Sequence, residues 1–273
     1  MSRSAIGVFD SGVGGLSVLQ HIRSMLPDER LIYVADSAHV PYGDKSAAYI
    51  ERRSVALVDF LIGQGADAIV IACNTATAAA AASLRARYSL PIIGMEPAVK
   101  PAVAATRSGV VGVLATVGTL KSARFAALLE RYAGEVKIVT QGCPGLVEQV
   151  EKGELHSAET RSLVERYTAS LLAKGADTLI LGCTHYPYLA PLIRQVAGPH
   201  VALIDTGEAV ARHLQRRLQA ELPGRAKGDG TAQFFSSGDP EQAGRIMSAL
   251  WGVPVAALPA SHLVRWEDDS PAL

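Results

Sequence analysis

One segment of this chain occurs twice, and its reading decides the fold. Gly65-Ala66-Asp67-Ala68-Ile69-Val70-Ile71-Ala72-Cys73-Asn74-Thr75 is matched without a gap by Gly175-Ala176-Asp177-Thr178-Leu179-Ile180-Leu181-Gly182-Cys183-Thr184-His185, 110 residues further on. Each copy reads as a turn, an apolar run and a cysteine followed by small polar residues. That is the pattern of a buried strand delivering a thiol to the carboxyl end of a parallel sheet. Two further echoes flank it. Ile6-Gly7-Val8-Phe9-Asp10-Ser11 is repeated by Val111-Gly112-Val113-Leu114-Ala115-Thr116, and Ile93–Val99 by Ile204–Val210. Each half therefore holds a first strand, a cysteine strand and a closing strand in the same order.

Outward from these segments, short apolar runs alternate with amphipathic stretches. Strands are expected at Ile6–Phe9, Leu31–Ala35, Ala68–Ala72 and Ile92–Ile93, and again at Val110–Leu114, Val136–Val139, Thr178–Leu181 and Val201–Ile204. Helices are expected between them, including one over Leu120–Tyr132. The alternation predicts an α/β fold of two similar domains with mostly parallel sheets, pseudo-twofold related, with a site in the cleft between them. The first domain is expected to span 1–97 and to be rejoined by 209–273, which supplies a strand at Thr231–Phe235 and a helix at Pro240–Leu250. The second is expected to span 98–208. Trp266–Leu273, acidic and containing Pro, is expected to be frayed.

Composition narrows the function classes. Hydrophobic residues make up 49% and charged residues 19% of 273, an ordinary globular balance. The net charge of zero gives no bulk attraction to nucleic acid or to an anionic membrane. No apolar run is long enough to span a bilayer. Met1-Ser2-Arg3-Ser4 leads directly into a strand-like run, so no signal peptide is expected. Three cysteines do not make a disulfide framework, and a reducing cytoplasm is the expected location.

Cys73 and Cys183 are the leading candidates for chemistry. Two thiols brought from two similar halves suit proton transfer at a carbon next to a carboxylate. One thiolate removes the proton and the opposite thiol supplies one to the other face. A lone strand cysteine more often serves as a small hydrophobe. Two at matched strand ends, followed by Asn-Thr and Thr-His, argue for chemistry. Cys143, in Gly142-Cys143-Pro144-Gly145, has no echo in sequence and reads as packing. Asp10-Ser11-Gly12-Val13-Gly14-Gly15 follows a strand and opens a helix, where backbone amides could hold a carboxylate or phosphate. It lacks the glycine spacing of dinucleotide folds and the lysine of a phosphate-binding loop. Asp10 serves equally well as a helix cap, an orienter of a thiol or a partner for an ammonium group. Asp36 and the loop Val40-Pro41-Tyr42-Gly43 read as active-site elements or simply as a turn. His185, two residues after Cys183, has poor spacing for zinc, and no metal site is expected.

At these residues the chain closely resembles the bacterial glutamate racemases of the cofactor-independent aspartate/glutamate racemase superfamily. The resemblance lies in Phe9-Asp10-Ser11-Gly12-Val13-Gly14-Gly15-Leu16, Tyr33-Val34-Ala35-Asp36, Pro41-Tyr42-Gly43, Ala72-Cys73-Asn74-Thr75-Ala76 and Leu181-Gly182-Cys183-Thr184-His185-Tyr186-Pro187. It implies interconversion of L- and D-glutamate with no cofactor, the D-glutamate serving peptidoglycan synthesis. It implies that Cys73 acts on D-glutamate and Cys183 on L-glutamate. Asp10, His185, Asp36 and Glu151 are the implied assistants of the thiols. The implied substrate contacts are Asp10, Ser11, Tyr42, Gly43, Asn74, Thr75, Thr184 and His185. Small-molecule glutamate is the expected partner, without nucleic acid or membrane, and a homodimer is compatible with the sequence.

Three alternatives stay open at this point. The substrate could be aspartate or another amino acid. A hydrolase or lyase could use one cysteine with His185 as base, which leaves the second thiol unexplained. A two-lobed binding protein would use the cleft without chemistry.

Overall fold

The computed structural model describes residues 4–132, 134–226 and 228–260. Its first run of elements is β1 (Ala5–Asp10), α1 (Leu16–Met25), β2 (Leu31–Ala35), α2 (Ala47–Gly63), β3 (Ala66–Ile71), α3 (Asn74–Arg87) and β4 (Ile92–Ile93). Helix α4 (Val99–Ala105) leads into the second: β5 (Val110–Ala115), α5 (Val117–Lys121), α6 (Ala123–Tyr132), β6 (Lys137–Gly142), α7 (Leu146–Glu151), α8 (Ala158–Leu172), β7 (Thr178–Leu181), α9 (Ala190–Ala197) and β8 (Ala202–Ile204). Helix α10 (Gly207–Glu221), β9 (Ala232–Ser236), α11 (Pro240–Trp251) and β10 (Ala257–Pro259) close the described chain.

Two parallel sheets result. The six-stranded sheet has the order β10-β9-β2-β1-β3-β4, and the four-stranded sheet the order β6-β5-β7-β8. Every paired neighbour runs parallel. The order 2-1-3-4 of the first sheet is thus reproduced as 6-5-7-8 in the second. Strands β9 and β10, which follow the second run, pair with the first sheet through β2. The central strands are apolar on both faces because helices cover both sides of a parallel sheet. All six residues of β1 are buried.

The duplication reaches into the packing. Gly7 in β1 and Gly112 in β5 are repeat partners, and each leaves room for a helix. A Cβ at Gly7 would lie 2.9 Å from Ile69 Cδ1 and 3.1 Å from Leu61 Cβ. A Cβ at Gly112 would lie 2.6 Å from Leu179 Cδ2 and 2.9 Å from Leu171 Cδ1. Ile69 and Leu179, like Leu61 and Leu171, stand at the same 110-residue offset as the cysteines. Gly65 and Gly175 enter the cysteine strands with φ of 93° and 88°, a left-handed turn that any side chain would strain.

One expectation needed correction. The helix expected over Leu120–Tyr132 is two helices, α5 and α6. Ser122 adopts an extended conformation between them, and its Oγ accepts the Phe125 N–H at 3.1 Å, starting α6 afresh. Strand β10, which no alternation announces, pairs with β9 at the sheet edge and lies against α11. The fraying expected at Trp266–Leu273 falls outside the described residues. Among the described residues, no helix is long and apolar enough to cross a membrane.

Candidate active site

In an open parallel sheet, ligands gather outside the carboxyl ends of the strands. Strand β1 ends there at Asp10, β3 runs on through Ala72 to Cys73, and β7 runs on through Gly182 to Cys183. The thiols then meet different continuations. Cys73 is the N-cap of α3, and its Sγ accepts the Ala76 N–H at 3.4 Å. Cys183 leads instead into a 3-10 turn, Tyr186–Leu189, with Pro187 at its start. Among the described residues no amide caps this sulfur; its Sγ faces His185 Nδ1 at 3.6 Å.

Both sulfurs line one narrow cleft. Its wall contains Ser11, Tyr42, Gly43, Cys73, Asn74, Thr75, Cys183, Thr184 and His185, all singled out by sequence. It also contains Pro41, Thr116, Val147 and Gly182. Of these, Thr116 could have been found, because it is the repeat partner of Ser11. Val147 gives no sequence signal. Two roomier pockets, of about 250 and 740 Å³, adjoin it, but neither is lined by a thiol. The Asn74 side chain is buried in this wall, and neither its Nδ2 nor its Oδ1 has a hydrogen-bond partner among the described residues. An amide in that state is available to a polar ligand, since burial without a partner is otherwise unfavourable.

The three expected carboxylates stand one residue behind the wall. Asp10 is fully buried and accepts from Ser11 N–H (2.7 Å), Gly15 N–H (2.7 Å) and Thr184 Oγ1 (3.1 Å). Glu151 lies behind His185: its Oε1 meets His185 Nε2 at 2.6 Å and accepts the Val13 N–H at 2.7 Å. Asp36 lies behind Tyr42. Its Oδ2 accepts from Tyr42 Oη at 2.5 Å and Arg53 Nε at 3.0 Å, and its Oδ1 accepts from Arg53 Nη2 at 2.6 Å. Asp36 and Arg53 are both wholly buried. Asp36, expected to assist the thiols, meets Tyr42 and Arg53 in this structure. Its oxygens are committed to Tyr42 and Arg53, so it anchors the Tyr42-Gly43 loop. Arg53 itself escaped sequence reading. The glycine loop also differs from expectation. The amides of Ser11, Val13 and Gly15 hold the protein's own Asp10 and Glu151 rather than standing free for a ligand.

Burial pushes the Cys73 thiol well above its usual range, and the Asp10 carboxylate adds to the rise. The Ala76 N–H works the other way, as a helix N-terminus does toward an anion. Burial likewise raises Asp10, against the pull of the His185 charge. For His185 burial disfavours the imidazolium. Hydrogen bonds to Cys183 and Glu151 outweigh it and hold this histidine well above its ordinary value. Cys143 is pushed up to about 12 by burial, which leaves it an unreactive thiol. The site thus offers two sulfurs, an imidazolium on one side and an unpaired amide, all enclosed from water. That set can hold a small zwitterionic acid and move a proton on either face of one carbon.

A family model described as Asp/Glu/Hydantoin racemase matches residues 6–214. The glutamate racemase of Pseudomonas aeruginosa strain PAO1 is 60% identical over 252 residues, covering 92% of this chain and 95% of that protein. Among solved structures, Escherichia coli glutamate racemase in complex with L-glutamate and the activator UDP-MurNAc-ala superposes with a TM-score of 0.85. It is 36% identical and covers 94% of this chain and 97% of that one. The Francisella tularensis glutamate racemase in complex with D-glutamate has a TM-score of 0.82 at 28% identity, covering 96% of this chain and 99% of that one.

Proposed function

The chain belongs to the Asp/Glu/hydantoin racemase family, and from that premise we propose that it interconverts L- and D-glutamate by proton transfer between Cys73 and Cys183. One observation carries the proposal: two thiols, each from the carboxyl end of a strand in a different sheet, line one cleft. The glutamate complexes of the structural relatives support the choice of substrate.

Acting on D-glutamate, the Cys73 thiolate takes the Cα proton and becomes a thiol. The Cys183 thiol then delivers its own proton to the opposite face and becomes the thiolate. L-Glutamate is released, and each sulfur is left in the other's former state. Acting on L-glutamate, the same steps run in reverse from Cys183. The Cα proton is only weakly acidic, so negative charge developing on the α-carboxylate must be met by fixed donors. Asn74, whose side-chain amide has no partner among the described residues, and Thr75 stand in the cleft wall to supply them. His185, held between Cys183 and Glu151, stands beside the Cys183 sulfur and fixes its surroundings. The substrate ammonium, entering beside Cys73 and Asp10, opposes the burial that keeps Cys73 protonated. A reducing cytoplasm keeps the thiols free on this reading, and the D-glutamate formed supplies peptidoglycan synthesis.

The test is incubation with L-glutamate in heavy water without added cofactor. Optical rotation is expected to decay to zero while deuterium enters at Cα. Persistence of rotation with no deuterium uptake overturns the proposal, and a hydrolase would instead release a new product.

A further inference from the structure

Gly12-Val13-Gly14 belongs to the first sheet's half, yet its contacts point into the other. The Val13 N–H donates to Glu151 Oε1 at 2.7 Å. That same oxygen meets His185 Nε2 at 2.6 Å, and His185 Nδ1 faces Cys183 Sγ at 3.6 Å. The two glycines make room for this line. A Cβ at Gly12 would fall 1.9 Å from Glu151 Oε1, and one at Gly14 would fall 2.4 Å from His185 Nδ1. Both distances are far inside van der Waals contact, so neither position admits a side chain while Glu151 and His185 stay where they are. Cys73 is served differently. Its hydrogen-bond partners, Ser11 Oγ at 3.9 Å and Ala76 N–H at 3.4 Å, both come from its own half.

We propose that Gly12, Val13 and Gly14 are positioning residues for the thiol of the opposite half. The Val13 amide fixes the Glu151 carboxylate, Glu151 fixes the His185 ring, and His185 supports Cys183. Cys183 thus depends on the first half through the line from Val13 to Glu151 and His185, whereas the second half reaches the neighbourhood of Cys73 through the Thr184 hydroxyl on Asp10. This deepens the two-thiol reading and rests on it only for the consequence in turnover, since the positioning itself is read from the thiols.

The experiment compares alkylation of Cys73 and Cys183 by iodoacetamide near neutral pH, by peptide mass spectrometry, in the full chain and two variants. Gly12→Ala drives a methyl group into the Glu151 carboxylate. Glu151→Asp draws the carboxylate back from the Val13 amide without adding an atom, so it breaks the same link if the alanine variant does not fold. Each is expected to slow Cys183 about tenfold, as a misplacement of the order of an ångström does, while Cys73 stays within about twofold. Racemisation falls in parallel with Cys183. Equal slowing of both thiols, or slowing of neither, overturns the inference. Selective slowing in a protein whose unmodified form does not racemise glutamate sinks the proposed function and leaves the positioning intact.

Discussion

The two halves share a backbone plan and diverge at the strand ends. Strand order, the Gly7/Gly112 and Gly65/Gly175 pairs and the cysteines all correspond. Yet Asp10 in the first half is Ala115 in the second. Sheet register extends the correspondence to a pair that sequence did not reveal. Asp36 N–H donates to Asp10 O at 3.0 Å, and Cys143 N–H donates to Ala115 O at 3.1 Å, so Cys143 occupies the place of Asp36. Arg53 likewise stands 110 residues before Leu163. An ion pair in one half is a cysteine and a leucine in the other. Core positions under a sheet must fill volume and so stay alike. Strand ends carry no such constraint, and there each half acquired its own chemistry.

The largest effect should come from the residues in which the halves agree. Cys73→Ser and Cys183→Ser are each expected to lower racemisation about 10²–10⁴-fold, the range for loss of a positioned acid or base. Circular dichroism of glutamate measures it. Solvent exchange at Cα sharpens the comparison. Cys73→Ser should still exchange L-glutamate, and Cys183→Ser should still exchange D-glutamate, each without inversion. If either variant racemises normally in both directions, the correspondence of the cysteines carries no mechanism.

Next in size is the ion pair found in one half only. Asp36→Asn or Arg53→Met leaves one buried charge without its partner, which costs about 3–5 kcal/mol. The double variant Asp36→Cys/Arg53→Leu copies the second half, and its loss of stability should be clearly smaller than either single loss. Urea unfolding at fixed pH checks this. The double variant frees Tyr42 from its anchor, so its KM should rise even where stability recovers. Recovery of both would reduce the pair to a packing detail.

What was legible in the sequence follows the same division. The sheets and both thiols could be read because a buried strand must be a continuous apolar run, and repeating it without a gap makes accident implausible. Arg53 could not be read. Arg52 and Arg53 are adjacent on an amphipathic helix, and only the folded chain buries one of them beside Asp36. The purpose of the glycine loop was equally hidden. Its amides looked open to a ligand, but the carboxylate that fills one of them arrives from Glu151, 138 residues away. Thr116 was within reach, had the repeat been used to carry Ser11 across.

A smaller effect is expected at His185, in the second half. Glu151→Gln removes the negative partner of His185, and a buried hydrogen bond to a charged group contributes about 1.5–3 kcal/mol. The sign follows from the raised folded value of His185. Stability from the charged pair is fully present below the unfolded histidine value of about 6.5 and is lost as pH rises through the folded value. The difference in Tm between the parent protein and Glu151→Gln should therefore be greatest at acid pH and shrink toward alkaline pH. A difference that grows with pH would mean that His185 is neutral in the folded protein.

The smallest expected effect lies on the seam where the halves touch. Thr75 Oγ1 of α3 meets Thr116 Oγ1 at 3.0 Å and Thr119 Oγ1 at 3.1 Å, and the latter two are themselves 3.0 Å apart. Thr119 is buried and lies outside the cleft wall. Thr119→Val keeps the shape and leaves Thr75 and Thr116 bonded to each other, so about 1 kcal/mol of stability is at stake. Turnover should change less than about threefold if the triangle only joins the halves. Thr116→Val removes more. Its hydroxyl also accepts the Thr119 N–H at 3.2 Å to cap α5, and it lines the cleft where its repeat partner Ser11 does. A KM rise confined to Thr116→Val would extend the correspondence of the halves from the thiols to their neighbouring hydroxyls. Equal KM effects in both variants would restrict it to the thiols, because a residue outside the wall can reach the substrate only by moving the seam.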